Sequence, residues 1–184
     1  YWPTVRKCPK VKITASSANP YLKVINNDIY SKNGKVLYSV ASTKTKYKVK
    51  KSVKEIEDGA FYKNDSIKSI YLPDSVKEIG EEAFGDMENL QSIRFSRSIS
   101  ELDYAMFNKC KKLKTVKLPK RIQTIRGNFG GKKNCYLKKI YINAVNLKKS
   151  NLKSLPKKCK VYVKSKNVKN QVKKAGFKGK VIIR

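Results

Sequence analysis

The chain contains no histidine, the side chain most often used for proton transfer at neutral pH. Ser-His and Cys-His nucleophiles and the H-E-x-x-H zinc site are excluded with it. Cysteine occurs four times, at Cys8, Cys110, Cys135 and Cys159, and never as C-x-x-C, so the close-spaced pairs of metal and redox sites are missing. No apolar run reaches the roughly 18 residues that a membrane-spanning helix needs. Arginine is scarce: of 44 basic residues 38 are Lys and six are Arg. Lysine is a hydrated point charge without the planar fork that reads base edges, so sequence-specific nucleic-acid recognition is not expected. Acidic residues are few as well, 13 in all, and every one lies between Asp28 and Asp103.

That last absence gives the charge a direction. The full chain of 184 residues carries +31. Residues 104–184 hold 26 basic and no acidic residues, hence +26, whereas the first 103 hold 18 basic and 13 acidic residues, hence +5. A field of this kind attracts polyanions and weakens with salt. The plainer account is a solvated lysine surface that keeps the protein soluble.

What is present is a repeat of about 23 residues. Ser52–Ile70, Ser75–Ile93 and Ser98–Val116 align without gaps, and Arg121–Ile140 follows with one inserted residue. Five apolar columns run through the copies: Val53, Val76, Ile99, Ile122; Ile56, Ile79, Leu102, Ile125; Phe61, Phe84, Phe107, Phe129; Ile67, Leu90, Leu113, Leu137; and Ile70, Ile93, Val116, Ile140. One unit cannot bury five apolar positions alone, but stacked units share one core, so a solenoid is expected.

From Leu72-Pro73 through Ser75-Val76, Ile79-Gly80 and Ala83-Phe84, the sequence resembles the BspA-like leucine-rich repeat family. Asn19-Pro20-Tyr21, followed by Asn27 to Leu37, resembles the hairpin unit that often precedes such repeats. The resemblance implies a right-handed coil with one short parallel strand per turn. It also implies a secreted or surface-attached bacterial protein with an adhesive or binding role, extracellular or at the cell surface.

One domain is expected over 1–184: a partial repeat and hairpin unit in 1–50, four repeats in 51–142, and a degenerate repeat with a cap in 143–184. Lys7-Cys8-Pro9-Lys10-Val11 echoes Cys110 to Val116, so the chain is expected to begin inside a repeat as a piece of a larger protein. No charged-then-apolar leader or wall-sorting motif is visible, so any export signal is expected to have been removed or to lie outside this chain, and any anchor is not visible in it. Leu147, Leu152 and Leu155 suggest one more degenerate turn. Val161–Val163, then Asn167–Ala175 with Val168 and Val172 on one face and Gly176 as its stop, then Val181–Ile183, predict a strand-helix-strand cap over the open end. The four cysteines fall at similar places in different turns and read as core thiols. Glu55, Glu78 and Glu101 recur at the repeat spacing, with Asp58 and Glu81 three residues on. A surface column beside Lys54 and Lys77 accounts for them better than the paired carboxylates of glycoside hydrolysis or a cation site. Gly130-Gly131-Lys132-Lys133 lacks the spacing of a phosphate loop.

Alternate strand residues face outward. Between the buried positions of successive strands lie Lys48, Tyr71, Arg94, Lys117, Tyr141 and Tyr162. A neighbouring row reads Ser69, Ser92, Thr115, Lys139 and Lys160. Tyrosine can stack on sugars or bases while the cations hold anionic groups, which makes Lys48, Tyr71, Arg94, Lys117, Lys139, Tyr141, Lys160 and Tyr162 candidate ligand-binding residues. Tyr and Lys also suit any exposed strand. The expectation is a noncatalytic, monomeric binding or adhesion module, without cofactor or metal, for an anionic polymer, glycan or protein. The alternatives are a structural spacer with no ligand of its own and a nonspecific nucleic-acid binder.

Overall fold

Asn26 and Asn27 take φ values of 53° and 66°, the paired left-handed conformation of a two-residue hairpin turn that asparagine tolerates best after glycine. In the computed structural model, which describes residues 12–127, 129–130 and 135–184, this turn joins β1 (Leu22–Ile25) to antiparallel β2 (Asp28–Ser31). β3 (Val36–Ser39) continues the meander. It then pairs in parallel with β5 (Glu55–Ile56), setting Leu37 beside Ile56, and so hands the hairpin over to the coil. Asp28 fastens the join from inside. Its carboxylate accepts the amides of Ala41 and Ser42, both at 3.1 Å, and the Tyr47 hydroxyl at 2.6 Å; the Tyr30 hydroxyl lies 3.3 Å from that of Tyr47. Burial raises the Asp28 carboxyl above its ordinary range even though each of these hydrogen bonds favours the anion. The partial repeat expected before Val11, with Cys8, lies outside the described residues.

Each following turn contributes one strand of three or four residues to the main sheet. These are β4 (Lys46–Lys48), β6 (Ser69–Tyr71), β8 (Ser92–Arg94), β10 (Thr115–Leu118), β12 (Lys139–Ile142) and β13 (Lys160–Val163). Neighbours pair in parallel with equivalent residues side by side, such as Tyr47 with Ile70 and Ile70 with Ile93. On a second line, two-residue segments repeat at β5, β7 (Glu78–Ile79), β9 (Glu101–Leu102) and β11 (Thr124–Ile125).

Between the two lines run the five expected columns, and every member is buried. The phenylalanines form a ladder: centroids are 5.3 Å apart for Phe61 and Phe84, 5.9 Å for Phe84 and Phe107, and 6.2 Å for Phe107 and Phe129. Tyr47 closes its first end edge-on against Phe61 at 5.2 Å. Leu147, Leu152 and Leu155 are buried too, which fits the degenerate turn. Cys110, Cys135 and Cys159 are free and buried, with Cys110 Sγ donating to the Phe84 carbonyl at 3.0 Å. Burial pushes the thiols of Cys110 and Cys159 up to about 12.

Outside the core, adjacent turns are clamped by ion pairs: Asp86 stands between Lys63 of the turn before, at 4.0 Å, and Lys109 of the turn after, at 3.7 Å, and elsewhere the acid belongs to the earlier turn. Asp74 receives the Arg97 guanidinium (Nε at 2.7 Å) and Arg97 amide, Glu88 meets Lys111 at 2.7 Å, and Glu101 takes Arg126 Nη2 at 2.6 Å.

One joint is made differently. The main sheet divides into β4-β6-β8 and a second block beginning at β10, and the short line divides between β7 and β9, so both ladders stop at the junction of turns 75–97 and 98–120. Ile79 and Ile93, which border it, are the most exposed members of their columns at 7% and 9%, against 0–3% for Ile56, Ile70 and Val116. Phe95 fills the slot that Leu72 and Leu118 occupy in adjacent turns, and its ring meets Phe107 edge-on at 6.2 Å. The turn corner still crosses the joint, with Glu82 N donating to Tyr104 O and Asp86 N to Asn108 O.

At the far end the strand-helix-strand unit forms as expected. Ser165 caps α1 (Lys166–Lys174) by accepting the Val168 amide at 3.2 Å, and Gly176, at φ 90°, ends it. Val168 and Val172 face the core. The last strand, β14 (Val181–Ile183), pairs with β13 and extends the sheet by one rung.

Candidate ligand-binding face

The parallel register turns a spacing in sequence into a row in space. Lys48, Tyr71 and Arg94 are direct neighbours on β4, β6 and β8. Lys117, Tyr141 and Tyr162 are direct neighbours on β10, β12 and β13, followed by Ile182 on β14. Lys139 pairs with Thr115 on one side and Lys160 on the other. The eight candidates therefore form two files on one outward face, interrupted once, where β8 and β10 are not laddered. The tyrosines of the row are half-buried and the lysines and Arg94 exposed.

Contacts within the row are specific. Lys48 Nζ lies 5.4 Å and the Arg94 guanidinium 5.0 Å from the Tyr71 ring centroid, from opposite neighbouring strands. Tyr141 stacks on Tyr162 with centroids 4.7 Å apart and planes 17° from parallel. Lys117 Nζ is 5.8 Å from the Tyr141 centroid. Arg184, which the repeat spacing did not single out, places its guanidinium 4.5 Å from that ring and donates to Asn143 Oδ1 at 2.8 Å. It was missed because it follows the last strand and reaches back across it. Lys46, paired with Ser69, begins the second file and was likewise not singled out.

The acidic column stands elsewhere. Glu55 and Glu78 are paired on the short line, and burial followed by repulsion from Glu57, Glu78 and Asp58 raises the Glu55 carboxyl. With Asp58, Glu101 and Asp103 they line a cleft of about 380 Å³. Glu101 is occupied by Arg126, and the Asp58 carboxylate accepts the Glu81 amide at 2.7 Å. Among the described residues no cluster of three or more His, Cys, Asp or Glu is arranged to hold a metal ion. No helix among them is long and apolar enough to cross a membrane. Residues 131–134, which include most of the Gly130-Gly131-Lys132-Lys133 segment, lie outside the described residues.

The chain superposes on the pneumococcal vaccine antigen PcpA with a TM-score of 0.66 at 20% identity, over 92% of this chain and 49% of that one. It is similar to the same degree, TM-score 0.66 at 24% identity, to a leucine rich cell surface protein from Faecalibacterium prausnitzii, over 97% and 43% of the two chains. A leucine-rich repeat protein from Bacteroides capillosus gives 0.57 at 17% identity, over 66% of this chain and 98% of the other. The chain thus spans a little under half the length of the first two structures. No curated protein matches it. The BspA type leucine rich repeat region matches residues 22–161 in six copies, and the chain belongs to that family.

Proposed function

We propose that this chain is a noncatalytic binding module of a secreted or surface protein, engaging an anionic partner through the C-terminal half of the main sheet. One observation carries the reading: Lys117, Lys139, Lys160, Tyr141 and Tyr162 stand together on three hydrogen-bonded strands, in a half of the chain that contains no acidic residue. Exposed ammonium groups there have no carboxylate in the same half to neutralise them, so an anionic polymer, glycan or acidic protein surface gains the full attraction. Surface placement is supported by the likeness to the Faecalibacterium prausnitzii protein, which is described as a cell surface protein.

A spacer without a ligand is favoured by the mutual packing of the tyrosine rings, which gives the row a structural use. Binding separates the two. The purified chain is titrated with teichoic acid, sulfated glycan, neutral polysaccharide and DNA at about 50 and about 200 mM salt. The binding reading expects one acidic ligand to stand above the rest at the higher salt, and a Lys117→Glu, Lys139→Glu, Lys160→Glu variant to lose it while keeping its circular dichroism. Equal binding to every polyanion that vanishes at the higher salt, or no binding, supports the spacer.

A further inference from the structure

Resting on that reading, we infer that the row meets its ligand edge-on, through phenolic oxygens and cationic groups, and that the ligand is a linear polyanion without aromatic bases laid along the axis of the coil. The inference comes from where the ring faces are. Tyr71 lies between Lys48 and Arg94, one from each adjoining strand. Tyr141 lies between Lys117 and the parallel ring of Tyr162, with Arg184 also against it. The far side of Tyr162 adjoins β14, where Ile182 stands in register. The ring planes therefore lie across the axis, and their faces point at neighbours in the row.

A nucleobase or sugar ring that stacked on Tyr141 or Tyr162 would have to enter between them or displace Lys117, Arg184 or Ile182 from the other faces. The two tyrosines project from strands joined by a continuous ladder, whose spacing of about 4.8 Å is that of two touching rings and leaves no room for a third. At Tyr71 both faces are instead met by cations, Lys48 and Arg94, from the adjoining strands. What the row offers outward is ring edges and hydroxyl groups, flanked by ammonium and guanidinium. Such groups bind sulfate, carboxylate or phosphate by charge-assisted hydrogen bonds, and they give no reward for a π-face. Along a strand only two outward residues are available, whereas along the axis Lys139 and Lys160 follow one another, as do Lys117, Tyr141 and Tyr162. A polymer running along the axis is held at successive rungs.

The test compares Tyr141→Phe/Tyr162→Phe with Tyr141→Leu/Tyr162→Leu in the full chain, using a sulfated glycan, a polyol-phosphate polymer, and a single-stranded oligodeoxynucleotide alongside an abasic phosphodiester of equal length. The Phe pair keeps the stacked rings and removes only the hydroxyls. Edge-on recognition expects it to lose about three- to tenfold in affinity per hydroxyl for the sulfated or polyol-phosphate ligand, as the Leu pair does. It also expects the abasic polymer to bind as well as the oligonucleotide. A Phe pair that binds like wild type while the Leu pair fails overturns the inference, as does an oligonucleotide that binds more than about tenfold tighter than its abasic form. In either case the reading of an anionic partner stands if the triple Lys→Glu variant still loses binding. Retention by that variant, or no binding by wild type to any of the four, removes the reading and the inference together.

Discussion

At the scale of single residues, Phe84 carries the most: fully buried, it lies in the middle of a ladder with Phe61 on one side and Phe107 on the other. Phe84→Ala should destabilise the fold by about 3–5 kcal/mol, because two neighbouring rings lose a partner and the turns cannot close over the void while their backbones remain paired. Urea denaturation would measure it; a loss below about 1 kcal/mol would mean that the ladder collapses around the gap. Asp28 makes the opposite kind of contribution. Its folded carboxyl titrates above the unfolded value of about 3.9, so folding takes up a proton within that window. The stability from this group is present below the unfolded value and is lost as pH rises through the folded one. Relative to an Asp28→Asn variant, wild type should gain stability as pH falls from 7 toward 4. Thermal melts of both proteins across that range would check the sign; a gap that widens against wild type on acidification would contradict it. The sequence showed Asp28 as the residue after an Asn-Asn turn and nothing more, since its partners Ala41, Ser42 and Tyr47 are brought to it by the first turn of the coil.

At the scale of elements, the joint between turns 75–97 and 98–120 is the place where local stability should drop. Ser69 N donates to Thr45 O across its turn boundary, whereas β10 has no laddered partner in β8. Amides of Thr115 and Lys117 should therefore exchange with solvent deuterium at least about tenfold faster than those of Ser69 and Tyr71. Equal protection would mean that the two blocks share an unbroken ladder. This joint was illegible in the sequence because Phe95 reads as one more apolar residue at a Leu position, and the repeat spacing is unchanged there. The columns from Val53 to Ile140 were legible for the converse reason: each turn places the same residue type at the same depth, so periodicity alone locates the core. The outward row was equally legible, because alternation along a strand fixes which residues share a face. Which way its rings turn was not, since that depends on cations reaching in from adjoining strands and on Arg184 reaching back to Tyr141.

At the scale of the molecule, the inter-turn ion pairs stop at Glu101 with Arg126, beyond which the sequence has only Asp103 left on the acidic side. The remaining turns repel one another, and salt should stabilise them by screening. Raising ionic strength from about 50 to about 300 mM should increase the melting temperature of the C-terminal turns, and a saturating polyanion at low salt should do the same by binding only the folded state. A melting temperature that falls with salt would mean that the surviving ion pairs outweigh the repulsion. The register of the face also has an architectural outcome. Tyr141 follows Lys117 by 24 residues and Tyr162 follows Tyr141 by 21, yet the three stand side by side. The sheet behaves as a graduated rule whose marks keep their spacing whatever length of chain is looped behind them. Insertions at the corners can thus remodel the rear of the molecule freely while the intervals read on its front stay fixed.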